Sequence, residues 1–547
     1  AANEVPEPYG LKDDPLEAPE TGLVYWVKTA RRTSDWPEDP LNPKDELPPH
    51  EELLPAAYDK ANPAQRHKYQ EGLHRIFSHV DTFNKDVLRQ LPSLQDQWKN
   101  NKNALLPPDK GASLPASLVG LDSAYANADT LANLFQSRSQ RTLKVLLWLV
   151  FAAVIVFAVY AHLLAHAPVD LGPASLEHVD LLALVFYVVI LIVADGCYVY
   201  VTWRDYQNRH QDYRTLAEGL RVQYYWHLAG LPLSAADHYL TKQKSELDWI
   251  RNAIRARGLL AEPGRWEEDS AKECERKERM RLIDRQWIAG QYQYYARASL
   301  RGRREDVYWR QAGTGFLVAS VMTGFVEAAV VLLRASPAAP RLWYLTIPFI
   351  LVMLVLIGCH ARTRRKEAKE NAEQDQEEYE QDQEQIEEKP ELKPAKPIPL
   401  PPSVSLNAAR GLGGGALVSL LCWGLSALLC HFARRPESEK CFPLWGLVET
   451  DPKDWLIVAM GVSAAIGALL HYYAQTRAFA EHHQQYKRIK EMFYRVYVRS
   501  EQALAQNQSG AAREYMHKLG CEALAEHGDW LLLHRERPME LPKVEVG

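Results

Sequence analysis

Six apolar runs constrain this chain more than anything else in it: Leu143 to Leu164, Val179 to Trp203, Ala312 to Leu333, Leu342 to Cys359, Gly414 to His431 and Trp455 to Tyr473. Each approaches the ~20 residues a helix needs to cross ~30 Å of hydrocarbon. Inside a bilayer the backbone N–H and C=O groups must pair within the segment, so such a run is expected to be helical. The expected fold is a mainly α membrane protein, with six spans in three transmembrane helical hairpins joined by helical cytoplasmic stalk segments. A mean hydropathy of −0.32 conceals this, because the apolar runs alternate with charge-rich stretches. With 24% charged residues and a net charge of −5, the 547-residue chain lacks the basic excess of a nucleic-acid binder.

Lys and Arg near the span ends set the orientation. Arg138, Arg141 and Lys144 precede the first run and Arg204, Arg209 and Arg214 follow the second, whereas the loop AHAPVDLGPASLEHVD between them has neither residue type. Arg301, Arg303, Arg304 and Arg310, then Arg362, Arg364, Arg365 and Lys366, place both ends of the second hairpin inside as well. The loop of the third hairpin carries Arg434, Arg435, Lys440 and Lys453. An even number of spans still keeps it outside if the tail, with Arg477, Lys487, Arg488 and Lys490, is cytoplasmic. Both termini are therefore expected in the cytoplasm.

Residues 1–55 join a short strand, GLVYWVKTARRTS, to the Pro- and acid-rich linker PEDPLNPKDELPPHEELLP. A lone strand needs partners for its backbone and its apolar face. This part is expected to be the trailing edge of an α/β domain whose body lies upstream. The opening AANEVPEPYG shows neither an initiator Met nor a secretory signal, as expected for a piece of a longer protein. Residues 56–141 read as a cytoplasmic helical segment, 142–203 as the first hairpin, and 204–311 as a stalk of two or three helices turning at LAEPGRWEED. Residues 312–361 form the second hairpin, 362–410 a charged helix and Pro-rich spacer, 411–475 the third hairpin and 476–547 a C-terminal helical region. In that tail, Leu519, Ala523 and Leu524 share a helical face. Gly528 is expected to break the helix, and Trp530 to Leu533 to follow as a short strand or extended segment. So patterned a tail is expected to dock rather than dangle.

The segment RHQDYRTLAEGLRVQYYWHLAGL, just beyond the second run, is the most informative soluble stretch. At helical spacing Tyr213, Leu216, Leu220, Tyr224 and Leu228 share one face, and Arg214, Glu218 and Arg221 are close enough for (i, i+4) and (i, i+3) pairs. An apolar face of that size is expected to be buried, with Glu218 and Arg221 in a salt-bridged network at its edge. After the last run HHQQYKRIKEMFYRVY echoes it: His483, Gln484, Tyr486 and Lys487 repeat the order of His210, Gln211, Tyr213 and Arg214.

DYRTLAEGLRVQYYWHLAGL, HYLTKQKSELDWIRNAI and HKLGCEALAEHGDWLLLHRERPMELP together resemble bacterial membrane proteins of the SLOG and SLATT class. The strand, the linker DPLNPKDELPPHEELLP and FSHVDTFNKDV are similar to the junction that follows the sensor in that class. The resemblance covers most of the chain from about residue 22, through structural rather than catalytic motifs. It implies an N-terminal SLOG nucleotide-sensor domain, similar to that of melastatin-type TRP channels, ahead of paired transmembrane helices. It further implies a bacterial inner membrane, a nucleotide-derived ligand bound through the missing N-terminal domain, and a membrane response to stress or phage.

No catalytic motif is evident, and the chain reads as neither an enzyme nor a holder of a cofactor or metal. RGLGGG (410–415) lacks a following Lys-Ser/Thr and opens onto an apolar run, unlike a phosphate loop. The histidines form no H-E-x-x-H and the seven cysteines no C-x-x-C. Cys430 and Cys441 flank the outer loop of the third hairpin, where an oxidising compartment would permit a disulfide. Asp195 and Glu327 lie inside apolar runs, where a lipid-facing acid costs ~2.5–3.5 kcal/mol on insertion scales. At 1.5 Å per residue they sit ~12 Å and ~22 Å from the cytoplasmic edge, too far apart in depth to pair. As pore or gating candidates they would line a cation path. The alternative is structural, with Asp195 bonded to a Tyr, Trp or Arg near the interface and Glu327 protonated among small residues.

Two readings remain open. In one the chain is a nucleotide-signal-gated membrane effector, a homo-oligomeric ion channel or membrane-disrupting bundle. In the other it is a non-conducting membrane anchor that relays a sensor signal to a partner protein.

Overall fold

The computed structural model describes residues 63–102, 104–105, 116–164, 179–240, 247–258, 273–335, 373, 377 and 452–535. The expected strand, the runs Leu342 to Cys359 and Gly414 to His431, Cys430, Cys441 and nearly all of the charged helix lie outside these residues. Among the described residues there is no β-strand. Three helical stretches are long and apolar enough to cross a membrane: Leu118–His162, Leu181–Leu228 and Ile457–Ala505. Six spans thus remain an expectation.

In chain order the helices are α1 (Pro63–Gln90), α2 (Gln95–Lys102), α3 (Ala116–Val159), α4 (Val179–Arg204), α5 (Tyr206–Leu228), α6 (Ala235–His238), α7 (Asp248–Gly258), α8 (Glu273–Ile283), α9 (Gly290–Ala335), α10 (Pro452–Thr476), α11 (Phe479–Ala505) and α12 (Ser509–Arg535). Pro92 stops α1, because a proline disfavours the α conformation in the residue before it, and the chain turns through a 3-10 segment, Leu91–Ser93, into α2. Short π-helical turns cover Tyr160–Leu164 after α3 and Asp284–Ala289 between α8 and α9.

Two compact units emerge. The first comprises Ala1–Ser139, Asp205–Tyr292 and Ile489–Pro538, and the second Gln140–Arg204, Gln293–Arg488 and Met539–Gly547. At the centre of the first lies α5, buried almost without interruption from Gln211 to Leu228. It touches α1 through Phe83 and Tyr213 (ring centroids 5.1 Å), α3 through Phe135 and Tyr213 (5.7 Å), and α12 through a hydrogen bond from Trp226 Nε1 to Met516 O (3.2 Å). Gly219 lets α7 approach, since a Cβ there would collide with Ile254. The expectation of one buried face is too modest: α5 is enclosed all round, and that is why its polar residues all need partners.

The tail corrects a second expectation. α12 continues through Gly528 to Arg535, so Trp530 to Leu533 are helical, not extended. Leu524 and Leu531, one on each side of the glycine, are both buried at helical spacing (1% and 0% exposed). That burial outweighs the ~1 kcal/mol a glycine costs within a helix.

In the second unit α9 runs antiparallel to α10. Ser320 Oγ donates to Met460 O (2.9 Å), and seven residues away along both helices Gly313 faces Gly467. A Cβ on Gly467 would lie 2.9 Å from Gly313 O, and one on Gly313 would lie 3.1 Å from Gly467 O. Close backbone approach of this kind is the usual way helices associate in lipid, where dispersion and hydrogen bonds replace the hydrophobic effect.

The internal echo proves deeper than its four residues. His210 Nδ1 meets Ala132 O at 3.0 Å, and His483 Nδ1 meets Ser299 O at 3.0 Å. Three residues beyond each carbonyl, Phe135 packs on Tyr206 and Gly302 abuts the backbone of Phe479. Seven residues before each carbonyl, Tyr125 bonds Arg221 and the Tyr292 ring lies tilted 5.9 Å from that of Tyr494. Both pairs are announced by a non-glycine residue in the left-handed region, Asp205 (φ 54°) and Ala478 (φ 49°), five residues before the histidine. The pair α3–α5 and the pair α9–α11 thus share one contact register.

Replacing Gly467 by Val is expected to lower the thermal midpoint of the detergent-solubilised protein, with a loss of about 1–3 kcal/mol from overpacking. Gly461→Val, at a position open to space, should shift the midpoint far less. Equal shifts would show that the Gly313–Gly467 approach carries no special weight.

Candidate functional site

Three charges on α5 lie one helical turn apart, and the enclosure of the helix forces each to find a partner. Arg214 donates through Nη1 to Asp129 of α3 (2.6 Å) and through Nη2 to Glu218 (2.8 Å). Glu218 also accepts both contacts of Arg221 Nη1 (2.9 and 2.8 Å), and Arg221 Nη2 donates to Tyr125 Oη (2.7 Å). The result is an alternating chain Asp129–Arg214–Glu218–Arg221–Tyr125 in which formal charge sums to zero. It binds two turns of α3 to two turns of α5. Glu218 and Arg221 are 9% and 7% exposed, so the network sits inside the unit rather than at the edge of the helix.

A second strut lies closer to the start of α5. Asp86 of α1 accepts from Arg209 Nη1 (3.0 Å) and from the Tyr213 hydroxyl (2.7 Å). On the far side, Asp212 accepts from Arg535 at the end of α12 (2.8 Å). The charged and phenolic groups of α5 thereby tie α1, α3 and α12 to one helix.

Burial raises the Glu218 carboxyl, but Arg221 and then Arg214 more than offset it and hold it at about 2. For Asp212 burial wins over Arg535 and pushes it up to about 6. His527, bonded to the Tyr239 hydroxyl at 2.8 Å, is driven down to about 3 by burial, which outweighs the pull of Glu218. Asp284, in the π-helical turn before α9, accepts from Ser500 Oγ (2.9 Å) and is pushed up to about 8 by burial. It is a neutral acid at physiological pH, held beside a hydroxyl.

Among the residues singled out from sequence, Tyr213, Leu216, Glu218, Leu220, Arg221 and Tyr224 all belong to α5; Tyr213 is 2% exposed, and Leu216, Leu220 and Tyr224 are 0% exposed. Asp195 is exposed in α4 and Glu327 half-buried in α9. Cys430 and Cys441 lie outside the described residues. Sequence reasoning missed Tyr125, Asp129, Asp86 and Asp284. The AYANAD segment of α3 does hint at the first two, because Tyr125 and Asp129, four residues apart, fall on one face of an alanine-rich stretch. No part of the network resembles a nucleophile with its base, and every carboxylate in it meets a cation or a hydroxyl. Its chemistry is mechanical, joining helices through paired charges.

Glu218→Ala is expected to destabilise the protein by about 3–5 kcal/mol, because it removes the buried carboxylate that Arg214 and Arg221 share and leaves Arg221 bonded to neutral groups alone. The carboxyl is depressed from its ordinary 4.5, so its contribution is fully present above pH 4.5 and fades as pH falls toward 2. A wild-type stability curve without that acid limb, or an alanine variant that retains it, would contradict the assignment. Asp284 has the opposite sign. Its raised pKa means the wild type loses stability as pH rises from about 4 to about 8. Asp284→Asn should remove that decline and raise the melting temperature at pH 8 by several degrees, on the scale of ~1 kcal/mol for every 2–4 °C.

Compared with known proteins, the chain matches no protein-family model, no curated protein and no solved structure.

Proposed function

We propose that this protein is a homo-oligomeric membrane effector. A signal received on the cytoplasmic side, from a nucleotide-sensor domain of the kind the family resemblance implies, changes how its spans conduct ions or disturb the bilayer. The observation that carries this reading is the outward face of α4. Leu182, Phe186, Ile192 and Trp203 on that helix are 61%, 57%, 65% and 75% exposed, and Asp195 is exposed among them. An apolar flank meets lipid without penalty, but an acid on it does not. A second copy or a water-filled path meets the needs of both.

The cytoplasmic unit supports the same reading. The chain passes from α4 into α5 through the single left-handed residue Asp205, and α5 is then clamped on several sides by paired charges. A passive tether has no need of so much buried charge, whereas a relay requires a stiff element that moves as one piece. The spans themselves are expected to number six.

Purified protein in liposomes should leak a trapped ion when its cytoplasmic signal is present, with candidate nucleotides tested on a form that carries a sensor domain of the kind the resemblance implies. Glu327→Gln should fold and assemble but lose flux or alter selectivity, since the amide keeps the shape and hydrogen bonding of the acid. Normal flux from Glu327→Leu would end the pore-lining role of that residue. Absence of flux under every nucleotide, with intact assembly, would favour the non-conducting anchor.

A further inference from the structure

The first unit gathers His238, His517 and Cys521 so that one ligand atom from each lies within 4.8 Å of the others. His517 and Cys521 stand at (i, i+4) on α12, on the same face of the helix. Cys521 Sγ is 3.5 Å from His517 Nε2, close to the ~3.5 Å that separates a thiolate and an imidazole nitrogen sharing one tetrahedral ion. His238 is the last residue of α6, and its ring centroid lies 5.4 Å from that of His517.

The surroundings hold these side chains in place. Trp226 forms the floor, its ring 5.6 Å from His238 and 5.2 Å from His517. It is itself fixed by its bond to Met516 O, one residue before His517, and it fits only because position 520 is glycine, where a Cβ would strike the indole. Immediately after His238, the Tyr239 hydroxyl bonds to Thr215 O (3.1 Å) and His527 Nδ1 (2.8 Å), which anchors the turn that presents the histidine. Tyr239 and Trp226 are fully buried, while His238 is exposed and opens the cluster to solvent.

We propose that His238, His517 and Cys521 form a three-ligand site for a borderline-soft divalent transition ion of the zinc class. Two imidazoles and one thiolate suit Zn2+ or Co2+ and disfavour Mg2+ or Ca2+, which prefer oxygen. The fourth position faces solvent and takes a water. Binding forms two metal–nitrogen bonds and one metal–sulfur bond, and the Cys521 thiol proton leaves to solvent. Because His238 belongs to α6 and the other two ligands to α12, the ion would clip these helices together. A metal would thus stiffen the unit whose core is α5.

The test uses full-length protein in detergent, reduced and stripped of metal with a chelator, then titrated with Co2+. Tetrahedral ligand-field bands and a thiolate-to-cobalt charge-transfer band are expected to saturate at one ion per chain and to disappear on addition of Zn2+. Cys521→Ala should abolish the charge-transfer band, and His238→Ala, at an exposed position, should weaken binding at least tenfold while leaving the fold intact. Zn2+ should raise the melting temperature of the wild type and not of His238→Ala. Wild-type protein without tetrahedral bands, or a charge-transfer band that survives Cys521→Ala, would overturn the assignment.

Discussion

Glu218 between Arg214 and Arg221 is the interaction on which the first unit of this protein depends. A helix enclosed on every side usually has apolar residues all round, yet α5 carries Asp212, Glu218 and Arg221 in buried positions. Ionised groups stay in such places only when each desolvation penalty is met by a close partner and a hydrogen bond. That requirement fixes the register of α3 against α5, since a slip of one residue would part Asp129 from Arg214 and Tyr125 from Arg221. Apolar packing alone would tolerate such a slip more readily. The charges therefore specify which turn meets which, whatever they add to stability.

The shared register of α3–α5 and α9–α11 shows one helix-pair design used twice. A histidine on the shorter helix meets a backbone carbonyl on the longer one, and an aromatic at the start of the shorter helix lies against the longer one's next turn. What differs is the content of the intervening positions. Asp129 of the first pair corresponds to Ala296 of the second, and Arg221 corresponds to Tyr494. The second pair keeps the geometry but holds it with aromatic contacts such as Tyr292–Tyr494 and Tyr295–Tyr486, and dispenses with the charge chain.

Much of this was legible in the residues, for physical reasons that differ from place to place. Long apolar runs announce helices on their own, because hydrocarbon permits little else. The salt bridges of Glu218 with Arg214 and Arg221 are local along one helix, so their spacing reveals them. Asp129 and Asp86 reach α5 from far along the chain, and nothing in their own neighbourhoods announces the arginine each one meets. Enclosure is equally invisible: a helix with one apolar face and another with every face covered have similar patterns when polar residues supply part of the buried surface. The helical tail shows local punctuation losing to tertiary packing, with Gly528 tolerated because Leu524 and Leu531 are anchored on either side of it.

Ala478 has a consequence for how such a chain can change over time. A residue at φ 49° between α10 and α11 adds a fixed turn to the helical screw that an unbroken helix, at ~100° per residue, would not have. The direction in which α11 presents His483 to Ser299 therefore depends on that one backbone conformation as well as on the length of α10. A replacement for Ala478 must accept the left-handed region, as Gly and Asn do most readily. The choice of residue at 478 is thus set by the backbone rather than by what its side chain touches.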